Sequence, residues 1–263
     1  MPFYTVNDVD FYVEQHGSGL DLVLVGGFGD STLFWSKLLP ELTCKFRVTI
    51  FDNQAVGQTK DSGQELDFAT VTDNIYNLLE VLHLKKPLLF GSSMGGTIVQ
   101  HLVVRYPHAF DRICLSNTVM CWSVRMLQVF STIVELSKID IAPEMFFSIL
   151  MPWLRGNNFL QNKANLQRVV SESLHNPHPQ SVSDMARQYA LLREHDTSKQ
   201  LHKIITPALV VYATEDITAT PAECKDLAAA VKISSLREIP GGHGSPVEEP
   251  KRLAAILHDF FTV

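Results

Sequence analysis

The feature that most limits the fold is an alternation along the chain. Short apolar runs, three of them cut off by glycine or aspartate, take turns with longer segments whose apolar residues recur at helical spacing. Residues 22–25 are one such run and end at Gly26-Gly27; residues 48–51 are another and end at Asp52. Residues 68–83 carry Val71, Ile75, Leu78, Leu79 and Leu82, the stripe of an amphipathic helix. Then come Leu88-Leu89-Phe90, stopped by Gly91, a helical stretch over 98–106 that ends at Pro107, and a short strand at 113–115. At the start, residues 3–6 and 11–14 flank Asn7-Asp8-Val9-Asp10, which suits a hairpin turn. After Pro207 the alternation resumes, with strands at 208–212 and 235–239 and helices at 221–231 and 251–261. Short strands of this kind are buried on both faces. The pattern predicts an α/β fold with a mainly parallel sheet covered by helices on both sides.

Between residues 118 and 200 the strand-like runs vanish. Met120, Trp122, Met126, Leu127, Phe130, Met145, Phe146, Phe147, Met151 and Trp153 crowd into segments broken at Pro143, Pro152, Gly156-Asn157-Asn158 and Pro177-His178-Pro179. This predicts a helical insertion at 118–200, splitting a core made of 1–117 and 201–263. An insertion there lies over the carboxyl ends of the strands, where open α/β sheets bind ligands, so it reads as a cap.

Gly91-Ser92-Ser93-Met94-Gly95 fits GxSxG, and it stands between a strand and a helix. From glycine and serine frequencies, the bare string arises by chance about 0.1 times in a chain this long; the flanking elements lower that further. Such a turn forces its central residue into strained backbone geometry and lifts the serine oxygen above the sheet, at the N-terminus of the next helix. Only Ser93 is central, so Ser93 is the candidate nucleophile. A serine hydroxyl needs a base. Of the ten histidines, His243 stands between Gly241-Gly242 and Gly244, after the last strand and before the last helix, hence at the same sheet edge as Ser93. His16, His83, His108, His202 and His258 read as surface residues, as do His175, His178 and His195 in or near the cap, although one of these three could touch substrate. Asp216 follows the strand at 208–212 and is the candidate for orienting the base, with Glu215 its rival. Two backbone N–H groups would hold a developing oxyanion: Met94, just after Ser93, and Phe28, in Gly26-Gly27-Phe28-Gly29.

At these residues the chain resembles the α/β-hydrolase superfamily over nearly its whole length. The likeness runs through Leu22-Val23-Leu24-Val25-Gly26-Gly27-Phe28-Gly29, Asp52 to Gly57, the serine turn, Ala213-Thr214-Glu215-Asp216 and Pro240-Gly241-Gly242-His243-Gly244. It is most similar to small capped members such as 3-oxoadipate enol-lactonases, carboxylesterases and carbon–carbon bond hydrolases. The resemblance implies an eight-stranded sheet, a Ser-Asp-His order and no cofactor. Some such enzymes carry the acid one strand earlier; here that position reads Leu115-Ser116-Asn117-Thr118, without a carboxylate. Two departures stand out. Gly26-Gly27 replaces the usual His-Gly, whose histidine supports the oxyanion loop. Asp52-Asn53-Gln54-Ala55-Val56-Gly57 lacks the usual arginine that ties its loop.

The resulting expectation is a serine hydrolase of an ester or lactone. Trp122, Met126, Phe146 and Trp153, with Phe159, are candidates for an apolar substrate chamber, and Arg125 or Arg155 for holding a substrate carboxylate. A perhydrolase, a carbon–carbon hydrolase or a ligand-binding receptor on the same scaffold are the rivals. The net charge of -6, without a basic stripe, argues against nucleic acid and anionic membranes as main partners. Cys44, Cys114, Cys121 and Cys224 lack metal-like spacing and read as buried free thiols in a reducing compartment, with no metal site. No signal peptide, no membrane span and a cytoplasmic location are expected. The sequence does not set the oligomeric state.

Overall fold

The structure, a computed structural model, describes residues 2–262. Eight strands follow one another as β1 (Phe3–Val6), β2 (Val9–Gly17), β3 (Leu20–Val25), β4 (Phe46–Phe51), β5 (Leu88–Ser92), β6 (Ile113–Ser116), β7 (Ala208–Ala213) and β8 (Ser234–Ile239). They form one sheet in the order β1-β2-β4-β3-β5-β6-β7-β8. Pairing is antiparallel for β1 with β2 and β2 with β4, and parallel from β4 through β8. The first hairpin is tighter than the sequence suggested. Val6 pairs with Val9, so only Asn7-Asp8 turn, and Asn7 takes the positive φ of 51° that such a turn needs.

The helices are α1 (Leu39–Leu42), α2 (Phe68–Val81), α3 (Met94–Arg105), α4 (Val124–Leu136), α5 (Pro143–Leu154), α6 (Asn157–Gln161), α7 (Lys163–Leu174), α8 (Val182–Arg193), α9 (Pro221–Ala230), α10 (Ser245–Glu248) and α11 (Pro250–Phe261). Local chemistry sets several starts. Asp67 caps α2 by accepting the Thr70 N–H, and Thr220 with Glu223 forms a capping box at α9, where Pro221 opens the helix. No helix among the described residues is long and apolar enough to cross a membrane.

The pleat divides the core in two. On β3, Val23 and Val25 join the side chains of α2, α3 and α9; Leu22 and Leu24 face the other way, toward Trp35 and the Leu253, Leu257 and Phe261 stripe of α11. On β7, Val210 and Tyr212 go with the first layer, and Leu209, Val211 and Ala213 with the second. Both faces are therefore dry, which is why these strands are apolar without interruption. Helices α4 to α8 all fall between β6 and β7. Trp122, Met126, Phe130, Leu191 and Leu192 tie this block into the first core layer, whereas α7 buries no residue fully.

Candidate active site

Adjacent parallel strands end at one edge of the sheet, and three of those ends bring Ser93, Asp216 and His243 together. β5 runs straight into Ser93, which has φ 55° and opens α3. That φ is costly for a residue with a side chain and persists only where the surroundings impose it. Here the Ser93 N–H donates to the Ser116 carbonyl at 2.9 Å, and the Thr118 hydroxyl donates to the Ser93 carbonyl at 2.8 Å. His243 Nε2 lies 2.7 Å from Ser93 Oγ, and His243 Nδ1 lies 2.8 Å from Asp216 Oδ2. A carboxylate only accepts, so Nδ1 carries the proton and Nε2 is left to accept from the serine hydroxyl. All three residues are buried.

Asp216 is satisfied on both oxygens. Oδ1 accepts from the N–H groups of Thr218 (2.8 Å) and Ala219 (3.0 Å); Oδ2 accepts from His243 and from Asn117 Nδ2 at 2.8 Å. Asn117 escaped the sequence reading, which noted only that no carboxylate followed β6. Its own Oδ1 accepts from the hydroxyls of Ser116 and Ser245, each at 2.9 Å, so the amide is locked in orientation. Glu215, the rival acid, turns away. Its Oε2 accepts the Asn157 N–H at 2.9 Å and also the Asn157 side chain. Asp216→Asn should therefore lower kcat by about 10³–10⁴-fold, because the imidazole loses its tautomer and its counter-charge. Glu215→Gln should stay within about three-fold. Steady-state kinetics on both variants check the assignment, and reversed effects would transfer the role to Glu215.

The loop after β3 lies against the serine turn: a Cβ on Gly27 would approach Ser93 Cβ to 3.2 Å. Asn53 Nδ2 donates to the Gly26 carbonyl (2.9 Å), the Gly27 N–H to Asp30 Oδ2 (3.1 Å), and the Gly29 N–H to Gln188 Oε1 (2.9 Å). The support that the usual histidine would give thus comes from Asn53, Asp30 and Gln188. The Phe28 N–H and the Met94 N–H find no hydrogen-bond partner among the described residues. The loop after β4, which lacks its usual arginine, is held by Asp52. Its carboxylate accepts the N–H groups of Thr32 (2.6 Å) and Gln58 (2.7 Å).

Asp30 is the electrostatically unusual group. The residue is half-buried, but its carboxyl is hemmed in by protein. Burial pushes it up from 3.8 to about 6, partly offset by Arg155, by the Gly27 N–H and by His243. The folded state then holds this proton more tightly than the unfolded chain. Its destabilising charge is absent below about pH 4 and fully developed above about pH 6, where it costs about 3 kcal/mol. Asp30→Asn keeps an acceptor for Gly27 and removes the charge. The variant should gain stability over the parent as pH rises from 4 to 7; urea unfolding at each pH measures this, and a constant difference would refute it.

Arg155 lies beside the His243 loop. It packs against Gly244, its guanidinium stands 5.5 Å from the Phe159 ring centre, and its buried Nε has no partner among the described residues. Arg125 is exposed. Trp122 and Met126 are buried in the first core layer, whereas Phe146 and Trp153 are half-buried against it. Phe28 packs its ring on Phe130 at 5.7 Å, and Phe130 meets Trp122 edge-on at 5.4 Å.

Two expectations need correction. His195 is not at the surface; it is 2% exposed, donates through Nε2 to the Val119 carbonyl (2.9 Å) and contacts His101 (3.2 Å), on which Phe68 stacks. Burial pulls His195 down to about 4 and His101 to about 3, so this pair is neutral. A position just past a helix end reads as exposed in sequence, and only its packing against His101 of α3 and Phe68 of α2 covers it. Cys114 and Cys224 are buried, but Cys44, in the turn before β4, and Cys121, in an isolated bridge with Asp196, are exposed.

A family model described as alpha/beta hydrolase fold matches residues 22–250. The chain belongs to the alpha/beta hydrolase family. Among curated relatives, a provisionally named carbamate hydrolase of Pantoea ananatis is 25% identical over 94% of this chain and 90% of its own length. A pyrrolizixenacetamide deacetylase of Xenorhabdus hominickii is 25% identical over 93% and 91%. Among solved alpha/beta hydrolase structures, an enzyme from a Medee basin deep-sea metagenome library superimposes with a TM-score of 0.91 at 24% identity, covering 99% of this chain and 97% of that one. The enol-lactonase of Burkholderia xenovorans LB400 gives 0.88 at 20% identity, with 100% of both chains covered. At these identities the structural likenesses speak to the fold.

Proposed function

We propose that this chain is a serine hydrolase that cleaves an ester or lactone through Ser93, His243 and Asp216. Hydrolysis is the reaction class that the family and the names of its relatives support. The observation that carries the finer reading is the unbroken hydrogen-bond chain from Ser93 Oγ through His243 to Asp216. Ser93 Oγ attacks the substrate carbonyl carbon while its proton passes to His243 Nε2. The oxyanion forms toward the Phe28 and Met94 N–H groups, each worth about 3 kcal/mol of barrier. The tetrahedral adduct expels the alkoxide, which takes the proton from His243 and leaves an acyl-Ser93. Water then attacks the acyl carbon and gives one proton to His243; as the adduct collapses, His243 passes that proton to Ser93 Oγ and the acid is released.

The helices between β6 and β7 serve as the cap over residues 118–200. Phe146 and Trp153 form its apolar wall, backed by the buried Trp122 and Met126. The Trp153 carbonyl accepts from Thr218 Oγ1 at 2.6 Å, which anchors that wall to the Asp216 loop. Treatment with a fluorophosphonate should modify Ser93 alone, as read by peptide mass spectrometry. A panel of p-nitrophenyl esters, lactones, carbamates and amides should show fastest turnover among the esters or lactones. Fastest turnover of amides or carbamates would shift the substrate class. An unmodified Ser93 with no turnover would overturn the reading in favour of a ligand-binding protein on this scaffold.

A further inference from the structure

We propose that Gln188, on helix α8 of the inserted block, is a positioning residue that clamps the Phe28 loop in the orientation needed to receive an oxyanion. The proposal rests on the serine-hydrolase reading of the same site. Gln188 is 0% exposed. A buried carboxamide is tolerated only when both its ends are satisfied, and this one is. Oε1 accepts from the Gly29 N–H at 2.9 Å and from Gln180 Nε2 at 3.0 Å; Nε2 donates to the Gln54 carbonyl at 2.9 Å. With two donors on one side and a carbonyl on the other, the amide can stand only one way round. Gln180 adds a parallel strut by donating to the Ala55 carbonyl at 2.8 Å. One side chain from the inserted block therefore joins the loop after β3 to the loop after β4.

The peptide planes around Phe28 show what the clamp does. The Gly26–Gly27 peptide is held on both sides, its carbonyl by Asn53 and its N–H by Asp30. The carbonyl of the Gly27–Phe28 peptide accepts the Asp30 N–H at 3.3 Å. In a trans peptide the N–H points opposite to the carbonyl, so the Phe28 N–H is turned outward and has no partner among the described residues. The next peptide, Phe28–Gly29, is held through the Gly29 N–H by Gln188. Gly29 sits at φ 73°, and with Gly27 on the other side Phe28 is flanked by glycines, so rotation of these planes meets little steric resistance. Gln188 replaces that missing resistance with a hydrogen bond from a buried, rigidly held group. A preorganised donor acts on the transition state and not on the bound ester. The expected signature is thus a loss in kcat with KM held.

The test uses the intact protein with Gln188→Met, which keeps the volume and removes both hydrogen-bonding ends, and Gln188→Glu, which keeps the acceptor for Gly29. Kinetics are read on the best ester, together with inhibition by phenylboronic acid, which adds Ser93 Oγ and carries a tetrahedral anion. Gln188→Met should lose about 10–100-fold in kcat with KM within about two-fold, and the boronate should weaken by the same factor. Gln188→Glu should retain more of both. A folded Gln188→Met variant with unchanged kcat and boronate affinity overturns the proposal, as does a rise in KM alone. If Gln188→Met fails to fold, Gln188→Leu is read in its place: it also removes the acceptor for Gly29, so the same loss in kcat and boronate affinity is expected, and unchanged values overturn the proposal. A parent protein that neither turns over esters nor binds the boronate overturns the serine-hydrolase reading, and this proposal with it.

Discussion

Ser93→Ala should reduce ester turnover by about 10⁴–10⁶-fold while leaving the fold intact. The size follows from what the substitution removes. No other hydroxyl approaches His243 Nε2, whose one recorded partner among the described residues is Ser93 Oγ at 2.7 Å. Without it, the acyl-enzyme cannot form and His243 has no proton to move. The Phe28 and Met94 N–H groups remain, so some acceleration over bulk water should survive, as expected of a site whose electrostatics outlast its nucleophile. Alanine also tolerates the site poorly at φ 55°, but the serine already bears that strain, so folding should be little affected. The measurement is steady-state turnover of the best ester, with thermal unfolding as control. Activity within ten-fold of the parent, in a folded variant, would remove Ser93 from the mechanism.

Gly95→Ala should have the largest effect on the structure itself, with loss of stability above about 4 kcal/mol or failure to accumulate as folded protein. A Cβ at this position would fall inside the contact distance of the Val25 carbonyl oxygen, 2.6 Å from its carbon and 2.7 Å from the Gly26 carbonyl oxygen. All three are backbone atoms at the end of β3, the strand paired with β5. A flexible side chain could move aside, but a strand end in the middle of the sheet cannot. The first turn of α3 would have to lift off β3. That would pull Ser93 from His243 and Phe28 together. Expression level, far-ultraviolet circular dichroism and unfolding midpoint give the readout. A variant with parental stability would mean that this contact is looser than the structure has it.

How far the chain could be read in advance depended on the range of the interactions involved. All eight strands were legible: β3 to β7 because each is a local apolar run, buried on both faces, that leaves few polar positions to obscure it, β1 and β2 through the turn residues between them, and β8 through its place between two helical segments. The serine turn was legible for the same reason: Gly91, Ser93 and Gly95 answer constraints that lie within five residues. His243 and Asp216 could be placed at the correct edge because parallel strands all end on one side. The choice between Asp216 and Glu215 needed the structure, since two adjacent carboxylates share every local signal and differ only in which one faces the imidazole. Asn117 and Gln188 could not be found at all. An asparagine after a strand and a glutamine in an amphipathic helix are common, and their partners lie 99 and 159 residues away in the chain.

The sequence by itself determined the sheet, the family, and Ser93 and His243 as two of the three groups joined by hydrogen bonds, and narrowed the third to Asp216 or Glu215. Periodicity, turn chemistry and the directionality of parallel strands are local rules that a linear string can carry. The tertiary structure decided how the glycine-rich loop beside Ser93 is supported. The sequence suggested a loop deprived of its usual histidine. The fold supplies Asn53 from one strand end, Asp30 from within the loop and Gln188 from the inserted helices. None of these can be inferred from spacing, because each is a hydrogen bond between a side chain and the loop backbone, and its worth depends on burial and on how the side chain approaches. Those quantities exist only once the inserted block has packed onto the sheet.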